Sequence, residues 1–146
     1  MKRFHFPLER VRRWRSEQAS LEELKLQQLR AQLASLASEK YQVQEDLAQN
    51  ERQLFAEQSL TSIDLESLDS YRFYVRGRVR DLEQRERACE EKITNQRRQV
   101  IEARRSFELL DRLRTGALQH WTAAAAKEQE DLAAELFLSR DRRNPA

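Results

Sequence analysis

Positions 8–144, 137 residues between Pro7 and Pro145, contain no proline, and the whole chain holds only two glycines, Gly77 and Gly116. Proline interrupts a helix by removing a donor, and glycine supplies the backbone angles of tight turns. A chain this poor in both folds as long helices or stays disordered. Its apolar residues are periodic rather than scarce, which selects helix. Charged residues make up 36% and aromatics 8%, too little apolar surface for a globule but enough for a narrow seam between helices. A length of 146 residues suits one domain. The expected fold is all-α, a single coiled-coil domain over 1–146.

The seam can be followed residue by residue. Helix 1 is predicted over about 6–57, with Pro7 in its first turn, where a missing N–H does no harm. From Leu26 the apolar steps of three and four run Leu29, Leu33, Leu36, Val43, Leu47 and Leu54, with Lys40 and Asn50 at two polar positions. Leu8, Val11, Trp14, Leu21 and Leu24 do not share that phase, so a register shift is expected ahead of Leu26. A turn is expected at about 58–62. Thr61 would cap the next helix, Asp64 would reach back to it, and Leu60 would pack on Leu65. Helix 2, about 63–140, carries one phase from Leu68 through Val75, Leu82, Cys89, Ile93, Val100, Phe107 and Trp121 to Ala124. Arg72, Glu86, Gln96 and Arg114 are its polar members.

Helices joined by a short turn run antiparallel. A turn centred near 60–61 sets residue i opposite about 121 − i, so Trp14 would face Phe107. At 1.5 Å per residue the paired body would be about 75–85 Å long. Helix 1 ends opposite about position 115, while helix 2 runs on for about 25 residues, or about 35 Å. The expectation is therefore a long two-helix antiparallel coiled-coil hairpin with a projecting C-terminal helix. That projection carries Trp121, Leu132, Leu136, Phe137 and Leu138, and an apolar stripe without a partner marks a binding surface.

Net charge is +2, which gives no global attraction to nucleic acid. Locally, residues 1–15 hold six bases against Glu9, and residues 39–69 hold eight acids against Lys40 and Arg52, a gradient that orients partners more than it sets the fold. A single cysteine, Cys89, forbids an internal disulfide and suits a reducing compartment. It lies in the seam, where a small buried apolar side chain is the plainest reading. No signal sequence and no apolar run of membrane-spanning length is read. Catalysis finds no support, because a two-helix rod has no pocket, and His5 and His120 have no acid or cysteine cluster beside them. No metal or cofactor pattern is present.

Two features invite both a plain and a functional reading. Phe4, Phe6 and Trp14 among arginines read as aromatics packing on Phe107 and Leu110, or as a contact for a protein partner, lipid or nucleic acid. Tyr71, Phe73 and Tyr74 cannot all face the seam. They read as an apolar plug at the hairpin tip or as a docking patch.

Several stretches resemble the flagellar export protein FliJ family. The start Phe4-x-Phe6-Pro7-Leu8-Glu9-Arg10-Val11 is similar to that family's opening. Leu68-x-x-Tyr71-x-x-Tyr74 with Val79 and Leu82 is similar to its second-helix start. Phe107-Glu108-Leu109-Leu110-x-x-Leu113-Arg114 and Glu128-Gln129-Glu130-Asp131-Leu132 are similar to its C-terminal part. The likeness covers nearly the whole chain. It departs after Leu132, where Ala133, Ala134 and Glu135 stand in place of the family's frequent acidic pair.

The resemblance implies a component of the type III export machinery that resembles the central stalk of rotary ATPases. Its open end would enter the pore of the hexameric export ATPase FliI through Phe4, Phe6, Trp121, Leu132, Leu136 and Phe137. Its body would meet the export-gate protein FlhA, with Tyr74 on that face, and would escort export chaperones. The implied location is the cytoplasm, at the cytoplasmic face of the inner membrane at the flagellar base. A stalk of a virulence type III secretion system, a parallel homodimeric coiled coil and a nucleic-acid binder remain as alternatives.

Overall fold

The computed structural model of the chain describes residues 2–143. Two long helices account for most of them, α1 over Glu9–Ala56 and α2 over Ser62–Arg143. They lie in extensive antiparallel contact as a helical hairpin, so the fold is the all-α two-helix arrangement expected. Helical bonding begins at Leu8, whose carbonyl accepts from Arg12 N–H at 2.8 Å, just after Pro7. The turn ends in a capping box. Asp64 N–H donates to Thr61 Oγ1 and Thr61 N–H donates to Asp64 Oδ2, both at 3.2 Å. Two otherwise orphaned donors are thereby satisfied at the start of α2. Gly77 and Gly116 lie inside α2 with ordinary helical angles.

The residues divide into two compact units, Leu21–Ile101 and Met1–Ser20 with Glu102–Ala146. The first unit holds most of the apolar core. Leu26, Leu68, Val75, Leu82, Cys89, Ile93 and Val100 are buried there, Leu82 completely. Leu29, Leu33 and Leu36 pack against Leu26, Cys89, Ile93 and Val100, and the Cys89 thiol points at the Leu29 carbonyl oxygen, 3.3 Å away. Two polar seam residues meet each other, Lys40 Nζ lying 3.2 Å from Glu86 Oε1. Arg72 Nε donates to Glu51 at 2.7 Å, and Arg78 pairs with Glu39. The residue numbers of Arg78–Glu39, Arg72–Glu51 and Lys40–Glu86 add to 117, 123 and 126, around the 121 that the short turn dictates.

Gln96 closes the same unit's far side. Its amide donates to the Glu22 carbonyl oxygen at 3.0 Å and to the Glu22 carboxylate. That side-chain hydrogen bond, helped by Lys25, holds the Glu22 carboxyl below its ordinary 4.5 against the opposing effect of desolvation.

In the second unit, Phe6 and Ala19 are the buried residues among those described. Here the register shift expected before Leu26 does not occur. Counting back along α1 from Leu26, the covered positions are Glu22, Ala19, Ser16 or Arg15, and Arg12, still in steps of three and four. Leu8, Val11, Trp14, Leu21 and Leu24 are instead 42–50% exposed. Trp14 does not cover Phe107. Arg12, two residues and about 200° away around the helix, does so, with its guanidinium 5.4 Å from the ring centroid. The physical reason is ionic. Arg12 reaches Asp111 at 3.0 Å and Glu9 at 3.1 Å, and Arg114 meets the other Glu9 oxygen at 3.3 Å. Glu9 and Arg12 thus occupy the α1 side of a seam that the periodicity assigned to apolar residues. Ala124, expected in the seam, is exposed, and Ala125 is half-covered instead.

Leu82→Ala should lower stability by about 3 kcal/mol, because a fully enclosed side chain leaves a cavity. Thr61→Ala should cost about 1 kcal/mol. Urea unfolding followed by far-UV circular dichroism measures both. Glu22 has a lowered folded pKa, so its contribution is present above pH 4.5 and is lost as pH falls through the folded value. Gln96→Leu should raise the Glu22 titration midpoint toward 4.5, read from the NMR shift of its carboxyl carbon. An unmoved midpoint would dismiss Gln96 as the cause.

Candidate protein-binding surfaces

The six residues expected to form one surface separate into two groups. Phe4, Phe6 and Trp121 are engaged within their own unit. The rings of Phe4 and Trp121 meet edge to face, centroids 6.0 Å apart at 64°. Trp121 Nε1–H donates to the Lys2 carbonyl oxygen at 3.2 Å, the Arg114 guanidinium lies 5.8 Å from the Phe4 ring, and Phe6 is 8% exposed. Helix length alone puts the last residue with a partner near 115, short of Trp121. The segment before α1 is not helical, and a non-helical chain advances up to about 3.3 Å per residue against 1.5 Å in a helix. A few residues therefore cover α2 as far as Trp121.

Leu132, Leu136 and Phe137 form the other group. They are 53%, 71% and 70% exposed, and every described residue after Ala125 is exposed. Trp121, Ala125, Leu132 and Leu136 are spaced by four, seven and four, which keeps them on one face of α2. The stripe that carries the seam of this unit thus continues beyond the last described residue that covers it. Phe137 and Leu138 lie on other faces of the same helix. The last turn is basic, with Arg140, Arg142 and Arg143.

Tyr74 belongs to the Leu21–Ile101 unit. It is 63% exposed, and Phe73 beside it is 77% exposed. Tyr71 is half-buried, and its ring stacks on that of Tyr74 with centroids 6.5 Å apart and planes at 21°. Of the three aromatics, Tyr71 alone turns toward the seam, and its ring backs that of Tyr74, while Phe73 is exposed beside them. One turn on, Arg78 sits between Glu39 and Asp81, and the Glu39 carboxylate raises its already high pKa. An open cleft nearby is lined by Asn50, Leu54, Asp64, Ser67, Leu68 and Tyr71.

Among the described residues, no group of three or more His, Cys, Asp and Glu is arranged to hold a metal ion. No described helix is long and apolar enough to cross a membrane. Cys89 is buried, while His5 and His120 are exposed. The surfaces that periodicity missed are the outward apolar residues of α1. Their phase, offset from Leu26, was the available signal, and it marked exposure rather than a second seam. No family model, curated protein or solved structure matches the chain.

Phe4→Ala should expose Trp121 and cost about 1 kcal/mol, the scale of an edge-to-face aromatic pair. In a Trp14→Phe background, which leaves Trp121 the sole indole, its emission should shift to the red. Unchanged emission would mean that Phe4 does not shield it.

Proposed function

We propose that this chain is a stalk of the flagellar type III protein export system. In this reading the end of α2 enters the pore of the hexameric export ATPase FliI and promotes its assembly and hydrolysis. The Tyr74 surface meets the export-gate protein FlhA, and exposed helix faces take export chaperones. The chain acts by binding and carries out no chemistry of its own.

One observation carries the reading. The apolar stripe of α2 continues through Leu132 and Leu136 with no described residue covering it. A ring that gathers around one helix needs such a side, apolar enough to bury and already helical. Phe4, Phe6 and Trp121 take a supporting role here. They hold the segment before α1 against α2 and so brace the base of the inserting element. The Tyr74 surface lies on a different unit, so the two partners are not asked to compete for the same residues.

The test is titration of the full chain into the export ATPase, with hydrolysis and ring formation followed together. The wild-type chain should stimulate hydrolysis several-fold. A Leu132→Asp, Leu136→Asp, Phe137→Asp chain should lose at least most of that stimulation while keeping its urea midpoint, because none of these side chains has a covering partner among the described residues. Tyr74→Ala should retain the stimulation and lose binding to FlhA. A wild-type chain that leaves hydrolysis unchanged would remove the stalk reading.

A further inference from the structure

We propose that the exposed end of α2 pairs antiparallel with the same segment of a second copy of this chain. The stripe through Leu132 and Leu136 is apolar, exposed and helical, and its flanking charges say what would cover it. Residues 127–135 carry Glu128, Glu130, Asp131 and Glu135 against Lys127. Residues 140–143 carry Arg140, Arg142 and Arg143 against Asp141. All of these side chains are exposed.

A segment that is acidic at one end and basic at the other is complementary to itself when reversed. With a two-fold axis near Glu135 and Leu136, Glu128 of one copy lies beside Arg142 or Arg143 of the other on the same flank of the seam, and the acidic stretch as a whole runs along the basic one. Leu132 and Leu136 of both copies then share one seam. A parallel pair would set acid against acid and base against base, and its helix dipoles would align unfavourably. The charges therefore choose both the partner and the direction.

The contact is small. Residues 126–143 span about 27 Å of helix, less than a standard interface requires. The pairing is accordingly reversible and rises with concentration. It also covers the stripe that the stalk reading assigns to the ATPase ring, so a paired chain is closed to that partner and dilution or a ring with higher affinity releases it. The pairing itself does not depend on the stalk reading, because it concerns the purified chain alone.

Sedimentation equilibrium from micromolar to millimolar chain should show the average mass climbing from 17.4 kDa toward twice that value, less steeply in high salt. Arg140→Glu, Arg142→Glu, Arg143→Glu should hold the chain at one-copy mass. Mixing it with Glu128→Arg, Asp131→Arg chains should restore the pair, which a merely unfolded helix end would not do. Direction is read by cross-linking, with the wild-type chain and its buried Cys89 as background. Glu128→Cys chains mixed with Arg142→Cys chains should form a mixed disulfide faster than Glu128→Cys chains alone. A mass fixed at 17.4 kDa at every concentration would overturn the proposal. So would self-linking of Glu128→Cys as fast as the mixed reaction, the mark of a parallel pair.

Discussion

A protein made of two helices has no second layer, so each helix buries one stripe and the match between two stripes decides the fold. Apolar residues alone define such a match poorly, because leucines seven apart are interchangeable. The polar seam positions remove the ambiguity. Lys40 meets Glu86 and Arg72 meets Glu51. A slip of seven residues would carry Lys40 onto Val79 or Ile93, and would leave Glu86 covered without a cation. These pairs are half-exposed, so each adds at most about 1 kcal/mol to stability. Their larger effect is on the misaligned alternatives, where an uncompensated charge is costly to cover. In this unit the apolar core gives cohesion and the charges give register.

The two units solve the same pairing problem with different chemistry. Leu21–Ile101 buries seven apolar side chains, Leu82 fully. In Met1–Ser20 with Glu102–Ala146, the described seam centres on Glu9, Arg12, Asp111 and Arg114, with Phe4 on Trp121 and Phe6 buried. Arginine suits that role because its aliphatic stem covers apolar surface while its planar head binds two carboxylates. Arg12 does both, lying over Phe107 and bridging Asp111 and Glu9. Such a seam responds to salt more than one built of leucine, since screening acts on exposed charges and leaves apolar burial in place.

Most of α2 was legible in the sequence because its apolar period is unbroken. Positions from Leu68 to Trp121 that the period assigned to the seam are covered, including the polar ones Arg72, Glu86, Gln96 and Arg114. The capping box was legible because Thr61 and Asp64 have few other ways to satisfy the first N–H groups. The start of α1 was misread for an equally physical reason. Periodicity weighs apolar side chains, and there the covered positions are Arg12, Ser16, Ala19 and Glu22 while the apolar residues face outward. Ion pairing overrode hydrophobic phase, and nothing in a single sequence ranks the two. The candidate site divides along the same line. Leu132 and Leu136 follow from helix length and period. The engagement of Phe4 with Trp121 depends on a non-helical segment, whose reach per residue the helix count could not supply.

The exposed end of α2 raises a thermodynamic question that the rest of the helix answers. An isolated segment of this length is marginal in water, mainly because the first helical turn is hard to form. Here that turn need not form anew, since residues 126–143 continue a helix already fixed by its paired part. The run Ala123–Ala126 propagates it with the highest helix propensity available. Arg140, Arg142 and Arg143 in the last turn oppose the negative end of the helix dipole. The stripe through Leu132 and Leu136 is therefore presented already helical, and a partner that covers it need not supply the ordering free energy that a disordered tail would demand. For any surface that closes over it, less of the gain from apolar burial is offset by ordering the helix.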